Sequence, residues 1–486
     1  MSQPNPEQNK SLTIRVLSED QIWEIKRAAL EVLAKTGCRV QHQAGVKLLK
    51  QAGAIVKEDL VKVPEHVVEQ CISSAPKGFT IYNREGHRAM ELEDRKSYYG
   101  SSTAAPNTRD AITGEIRETR LSDIVLVAKV ADALPHISFA MPFGSAQDVQ
   151  PKLAEEVHEF EAVVTHTTKP VMFPSQSTRA FEMVYEMAAE IAGGLDALRE
   201  KPFLIAFPEP ITPLVFPHDT VERVLYAAKL GMPQYCGPIA QLGVTGPVTL
   251  AGSLVLVVAE SLMSITLAQL QNNGSPCLQC AGVVPFDMRN GTFSVGGPEL
   301  SLCRIALAQI AQSYGLPTFA IAGTSDSKIP DAQAGIECAF SLLAQRLAGL
   351  NLIHGLGYLA GGMICSAEML VLGDEAAGMV ERLIRGIDVN AGTLARDLIH
   401  KVGPGGNFLQ EEHTLNNFRK ELWIPSLMSR ETCDAWRDRG AKDVSARARE
   451  KIVEILETHK VTPLPDRVVA ALERIKQMAI KELAVG

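Results

Sequence analysis

Aromatic residues make up 5% of this 486-residue chain, yet Tyr98, Tyr99, Phe207, Tyr235, Phe286 and Tyr358 fall at or just beyond the ends of short apolar runs. The face of an aromatic ring attracts a cation that has no proton to donate. A single ring at such a place can simply plug a cavity, whereas several that converge can cage a quaternary ammonium group. Four carboxylates, Glu209, Asp287, Asp326 and Asp331, stand at the same kind of position. An acid there can neutralise a cation or act as a general base, or it can cap the next helix, which suits Asp331 after Pro330. Glu209, set between Pro208 and Pro210, and Asp326 are the candidate catalytic acids.

Other chemistries have less support. Cys277 and Cys280 form a C-x-x-C, but on a strand this spacing sends the two thiols to opposite faces. With no second pair and no His-x-x-x-His, a protein-bound metal is not expected. His158 and His166 are isolated and suit packing roles. Lys328 follows an apolar run, as a Schiff-base lysine of a lyase or aldolase would, but nothing near it in sequence would lower its pKa.

The elements that must position these groups repeat. Eight short runs are strand-like: Ser97–Ser101, Ile137–Met141, Pro170–Phe173, Phe203–Phe207, Pro233–Cys236, Pro276–Cys280, Pro317–Ile321 and Leu350–His354. Helical stretches separate most of them, with start signals such as Ser122-Asp123 and Pro298-Glu299. Alternating strands and helices imply parallel strands with helical crossovers, and eight units favour a closed (β/α)8 TIM barrel over an open sheet. No Gly-x-Gly-x-x-Gly follows any run, which weakens the open dinucleotide-binding alternative. Barrel active sites lie at the C-terminal strand ends, where the residues above fall.

The expected organisation is an N-terminal α+β extension (1–95), the catalytic barrel (96–402) and a more charged, helical C-terminal extension (403–486) that packs on the barrel or serves oligomerisation. In the first part, Ser18 should cap a helix running to about Ala34, a helical piece should span Val46–Ala52, another should start at Glu65, and Phe79–Tyr82 should be a strand.

A net charge of -8 and the lack of any Lys/Arg block argue against nucleic acid as a partner. Thr249–Leu270 is nearly long enough to span a membrane, but Glu260 lies at its centre and no basic anchors flank it, so a buried helix is expected and no membrane partner. Nine scattered cysteines and no signal peptide suit reduced thiols in the cytoplasm. The polar opening, MSQPNPEQNK, should be frayed.

Several longer stretches resemble one family. Tyr314–Pro317 leading through Ala322-Gly-Thr-Ser-Asp326-Ser-Lys328 to Asp331, Gln333, Gly335 and Glu337 is similar to the signature of the trimethylamine methyltransferase superfamily. Gly291–Glu299, Lys401–Gly403 with Asn407–Leu409, and His459–Pro463 match in the same order, so that the resemblance spans most of the chain. It implies a (β/α)8 barrel that passes a methyl group to the Co(I) of a corrinoid (cobalamin) carried by a cognate partner protein docked over the barrel mouth. Where the founding members carry pyrrolysine, this chain has Thr324. Members without pyrrolysine resemble methyltransferases of quaternary amines, which implies glycine betaine as first-choice substrate, with proline betaine and carnitine as relatives.

A quaternary ammonium already has a neutral tertiary amine as leaving group, so no added electrophile is needed; the protein must hold the cation, aim one methyl and exclude water. On this reading Tyr98, Tyr99, Phe207, Tyr235, Phe286, Thr324 and Tyr358 contact the substrate, and His354 donates to its carboxylate. Arg304 and Arg346 fall on helices and are left unassigned. A homo-oligomer is expected. The alternatives are a lyase using Lys328 and a betaine-binding protein without catalysis.

Overall fold

The computed structural model describes residues 12–483; the polar opening lies outside the described residues. Eight parallel strands form one sheet: β1 (Tyr98–Ser101), β2 (Ile137–Phe139), β3 (Val171–Pro174), β4 (Leu204–Phe207), β5 (Gln234–Cys236), β6 (Cys277–Cys280), β7 (Thr318–Ile321) and β8 (Leu352–Leu356). Hydrogen-bonded neighbours run β3-β4-β5-β6-β7-β8-β1-β2. The last seam is closed by the Ala140–Val171 bridge, in which the Ala140 N–H donates to the Pro170 carbonyl at 2.9 Å and the Met172 N–H to the Ala140 carbonyl at 3.0 Å. The expected barrel is therefore present, each strand within two residues of its expected limits.

Proline marks the strand entrances for a physical reason. It has no N–H to contribute, so it suits the position before a ladder begins, while its carbonyl still accepts. The carbonyls of Pro233, Pro276 and Pro317 accept from Ala206, Gln234 and Gln279 on the preceding strands.

The crossover helices are α1 (Leu121–Ala133), α2 (Glu155–His166), α3 (Thr178–Ala192), α4 (His218–Leu230), α5 (Leu250–Gln271), α6 (Pro298–Tyr314) and α7 (Ala332–Ala348), and α8 (Ala367–Arg385) follows β8. α1 begins at Leu121, ahead of the expected Ser122-Asp123 signal, and Asp123 in its first turn accepts from the N–H of the capping residue Arg120. Gly315 ends α6 at φ +71, a left-handed conformation in which a side chain is strained, so the helix gives way to β7 within three residues.

Strand alternation divides the core in two. Inward side chains, among them Tyr98, Phe139, Met172, Ile205, Leu278 and Leu352, fill the barrel. A hairpin of Phe79–Tyr82 and Arg88–Leu92 closes the floor, contributing Ile81, Met90 and Leu92 to the same cluster. Outward side chains such as Ile137, Val171, Cys277 and Ile353 pack under the helices.

The N-terminal residues wrap α5. Helix Glu19–Glu31 is capped by Ser18 as expected, with Gln21 returning the bond, and runs on through a wider turn to Thr36. Helix Gln43–Gln51 starts three residues earlier than expected, because the His42 ring accepts from the Gly45 N–H at 3.1 Å. Both helices and Glu65–Ser74 pack on α5, which is long and apolar enough to cross a membrane by composition but is mostly buried here. The strand Cys38–Val40 pairs with Val215–Phe216 from the loop after β4, so this region grips the barrel rim. At the other end of the chain, helix Val444–Thr458 packs on α8 and α1, and helix Asp466–Glu482 on α3 and α2.

Candidate active site

The C-terminal barrel mouth opens into a cavity of about 610 Å³. Phe207 of β4, Tyr235 of β5, Phe319 of β7 and His354 of β8 line it, with Tyr358 just beyond β8. Phe207 and Tyr235 stack at 4.2 Å between ring centroids, and Phe319 meets both edge-on at 5.6 and 5.2 Å. Phe319 in turn stacks on His354 at 4.6 Å, and His354 meets Tyr358 edge-on at 6.4 Å. A continuous aromatic wall therefore crosses from β4 to β8. Tyr358 is fixed by its hydroxyl, which accepts from the Thr103 N–H at 3.0 Å and donates to the Thr103 carbonyl.

Three charged groups share the cavity. Glu209 follows β4, while Arg223 reaches it from α4 and Arg304 from α6. Burial pushes the Glu209 carboxyl up to about 7, against a smaller opposing pull from Arg304. Burial, reinforced by the positive charge of Arg304, lowers His354 to about 3, so its ring is neutral. Arg223 donates to the Gln176 carbonyl at 2.6 Å and Arg304 to the Ala281 carbonyl. Glu209 Oε1, Arg223 Nε, Arg304 Nε and His354 Nδ1 are all buried without a hydrogen-bond partner. Buried polar atoms are normally satisfied, so four unsatisfied ones from four elements around one cavity mark a place prepared for a polar ligand.

The surrounding loops are held by carboxylates, one of them (Glu260) fully buried. Glu260 of α5 accepts from the Leu214 N–H at 2.5 Å and the Thr212 hydroxyl at 3.1 Å, which fixes the loop that carries Glu209. Glu337 of α7 accepts from the Ser325 hydroxyl at 2.6 Å and the Asp326 N–H at 2.8 Å. Asp326 accepts from the Val295 N–H at 2.8 Å and from Ser294, and Thr324 donates to the Val295 carbonyl at 3.0 Å. A Cβ on Gly296 would collide with the Glu337 carboxylate. Two stretches that carry the family resemblance, 291–299 and 322–337, thus form one latch behind the cavity residue Val295.

The expected site divides accordingly. Glu209, Phe207, Tyr235, His354 and Tyr358 come together in the cavity; Asp326, Thr324, Tyr98, Tyr99 and Phe286 do not line it. Asp326 and Thr324 are turned to the latch. Tyr98 begins β1, so its ring lies at the floor, where its hydroxyl accepts from the Glu91 N–H at 3.0 Å. Tyr99 faces outward by alternation and donates to Glu381 at 2.7 Å. Phe286 pairs with Phe293 in a short hairpin after β6, and Phe293 is the ring that reaches the cavity.

Cys277 and Cys280 point to opposite sides of β6, into the helix layer and the barrel interior respectively. Among the described residues no group of three or more His, Cys, Asp or Glu is arranged to hold a metal. Lys328 is exposed and donates to the Asp326 carbonyl at 2.7 Å, away from the cavity.

Sequence reasoning missed Phe319, Arg223 and Arg304. Phe319 lies within a strand rather than after it. Arg304 had a readable signal, a lone charge in the otherwise apolar run Leu302-Cys-Arg-Ile-Ala-Leu307.

Fold and site define a (β/α)8 barrel with an aromatic and arginine-lined cavity at its C-terminal mouth. The model of the trimethylamine methyltransferase (MTTB) family matches residues 2–482, and the chain belongs to that family. It is 33% identical over 471 residues to a trimethylamine methyltransferase MttB of Desulfitobacterium hafniense, covering 96% of this chain and 95% of the relative. It is 30% identical over 470 residues to a glycine betaine methyltransferase of the same species, covering 96% and 98%. The crystal structure of the Methanosarcina barkeri monomethylamine methyltransferase shares the fold, with a TM-score of 0.53 at 11% identity, covering 98% of this chain and 90% of that one.

Proposed function

We propose that the protein moves a methyl group from a quaternary amine, glycine betaine first among the candidates, to the Co(I) of a corrinoid carried by a cognate partner protein. The observation that carries this reading is the aromatic wall of Phe207, Tyr235, Phe319, His354 and Tyr358 in the barrel mouth of a chain from this family. Ring faces suit a trimethylammonium group, which carries positive charge and has no proton to donate in a hydrogen bond. Thr324 supplies no electrophile, and a quaternary amine needs none.

The C–N bond breaks and its electron pair stays on nitrogen, leaving a neutral tertiary amine. The methyl carbon takes the electron pair that the reduced corrinoid brings, in an in-line displacement. The chain's own residues do the rest. The wall replaces water around the cation, Glu209 in its ionised form supplies counter-charge, and the latched loops keep the cavity shaped so that one methyl faces outward. The setting proposed is the cytoplasm, in keeping with nine free cysteines, eight of them buried.

The test is to mix the protein with reduced cobalamin and candidate amines and to follow the spectrum of methylated cobalamin. Glycine betaine or a related betaine should give conversion. Measurable binding of quaternary amines with no conversion for any of them would sink the proposal.

A further inference from the structure

Arg304 has no part in breaking a C–N bond, yet it is a deeply buried charge in the cavity, with 4% of its surface exposed. A guanidinium removed from water is costly unless an anion opposes it. Its donation to the Ala281 carbonyl leaves Nε without a partner, and among the described residues no carboxylate stands within ion-pair distance. Glu209, the one carboxyl among the groups that act on it, is itself held largely protonated below about pH 7. Arg223, also without an ion pair among the described residues, feels two carboxyls, Glu156 and Asp219, where Arg304 feels one. The fold has also made room for Arg304: residue 282 is glycine, and a Cβ there would stand 2.9 Å from the guanidinium.

An amine carrying only positive charge would enter this cavity against the field of Arg304. A substrate with a carboxylate tethered to its ammonium group meets both demands at once, with the rings taking one end and the arginine the other. We infer that Arg304 binds the carboxylate of the substrate and thereby selects zwitterionic betaines over amines that carry positive charge alone. The assignment rests on the methyl-donor reading of the same cavity and makes Arg304 its specificity-determining residue. His354, the donor expected from the sequence, is neutral and adds a hydrogen bond without charge.

Titration calorimetry with glycine betaine, its methyl ester and tetramethylammonium tests this. Wild-type protein should bind glycine betaine about 10- to 100-fold more tightly than the ester, the range of a charge-assisted hydrogen bond. Arg304→Gln should lose a similar factor for glycine betaine and nothing for tetramethylammonium, and Arg304→Lys should recover part of the loss. Equal losses for both ligands overturn the inference. So does wild-type protein that binds the ester as well as the betaine, a comparison that needs no variant to fold. Arg304-dependent binding without methylated cobalamin would overturn methyl transfer and leave Arg304 as a carboxylate site. Methylation from tetramethylammonium with no preference for glycine betaine would do the reverse.

Discussion

Glu209 changes its acidity on folding from an ordinary 4.5 to about 7, and burial is the main cause. Because the folded form holds its proton more tightly, ionisation works against the fold. The penalty is absent below about pH 4.5, grows as the pH rises toward 7 and is complete above it. Glu209→Gln should therefore raise stability by about 1–3 kcal/mol at pH 8 and leave it unchanged at pH 4, measured by urea unfolding at both values. If Glu209 also supplies counter-charge, tetramethylammonium affinity in the wild type should rise through pH 7, and the Gln variant should flatten that curve.

The aromatic wall gives a second residue-level expectation. Phe207→Leu should weaken tetramethylammonium binding about 3- to 30-fold, the range of a cation–π contact, and should hardly affect a neutral isostere such as neopentyl alcohol. Equal losses would remove the cage role of that ring. Phe207 and Glu209 were legible because barrels place function at strand ends. Tyr98 and Tyr99 misled because adjacent strand residues face opposite ways and the pair stands where β1 begins. Arg304 became assignable only once α6 was seen to turn its charge inward.

At the scale of elements, the latch joins the loop after β6 to the loop after β7 through Glu337, Asp326 and Ser325. Glu337→Gln keeps the shape but weakens two charge-assisted bonds, so it should cost about 1–3 kcal/mol in stability. It should also raise KM more than it lowers kcat, because Val295 and Phe293 line the cavity without touching the bond that breaks. A fall in kcat alone would argue that the latch carries chemistry. The latch shows why the family-like stretches could be read in the sequence while their purpose could not. Their residue types suggest a catalytic aspartate, but the partners of Asp326 lie about 30 residues away, and only the fold brings them together. Strands and caps depend on neighbours in sequence, which is why the eight strands and the Ser18 cap could be anticipated.

For the molecule as a whole, the barrel was legible from its repeat, because eight similar units closing on one another need no knowledge of individual contacts. The hairpin at the floor was only half legible. Phe79–Tyr82 was readable as a strand, but neither its pairing with Arg88–Leu92 nor its place under the barrel follows from local pattern. Between residues 387 and 424, Ile387, Val389, Leu409 and Leu415 are each more than 70% exposed. Exposed side chains of this size are expected to be covered by a second copy of the chain. Light scattering should give a mass that is a multiple of the protomer's, and Leu409→Glu with Leu415→Glu should reduce it; a monomeric wild type would refute the expectation.

The floor hairpin also has a kinetic consequence. A barrel stoppered at one end gives its ligands a shared doorway, the same mouth over which the proposed corrinoid protein must sit. The amine then has to enter before the partner arrives, and the demethylated product has to wait for it to leave. Turnover should accordingly follow a compulsory order, and a large excess of the partner should slow the enzyme by trapping it capped and empty. Initial rates measured across partner concentrations would reveal this as inhibition that added amine relieves.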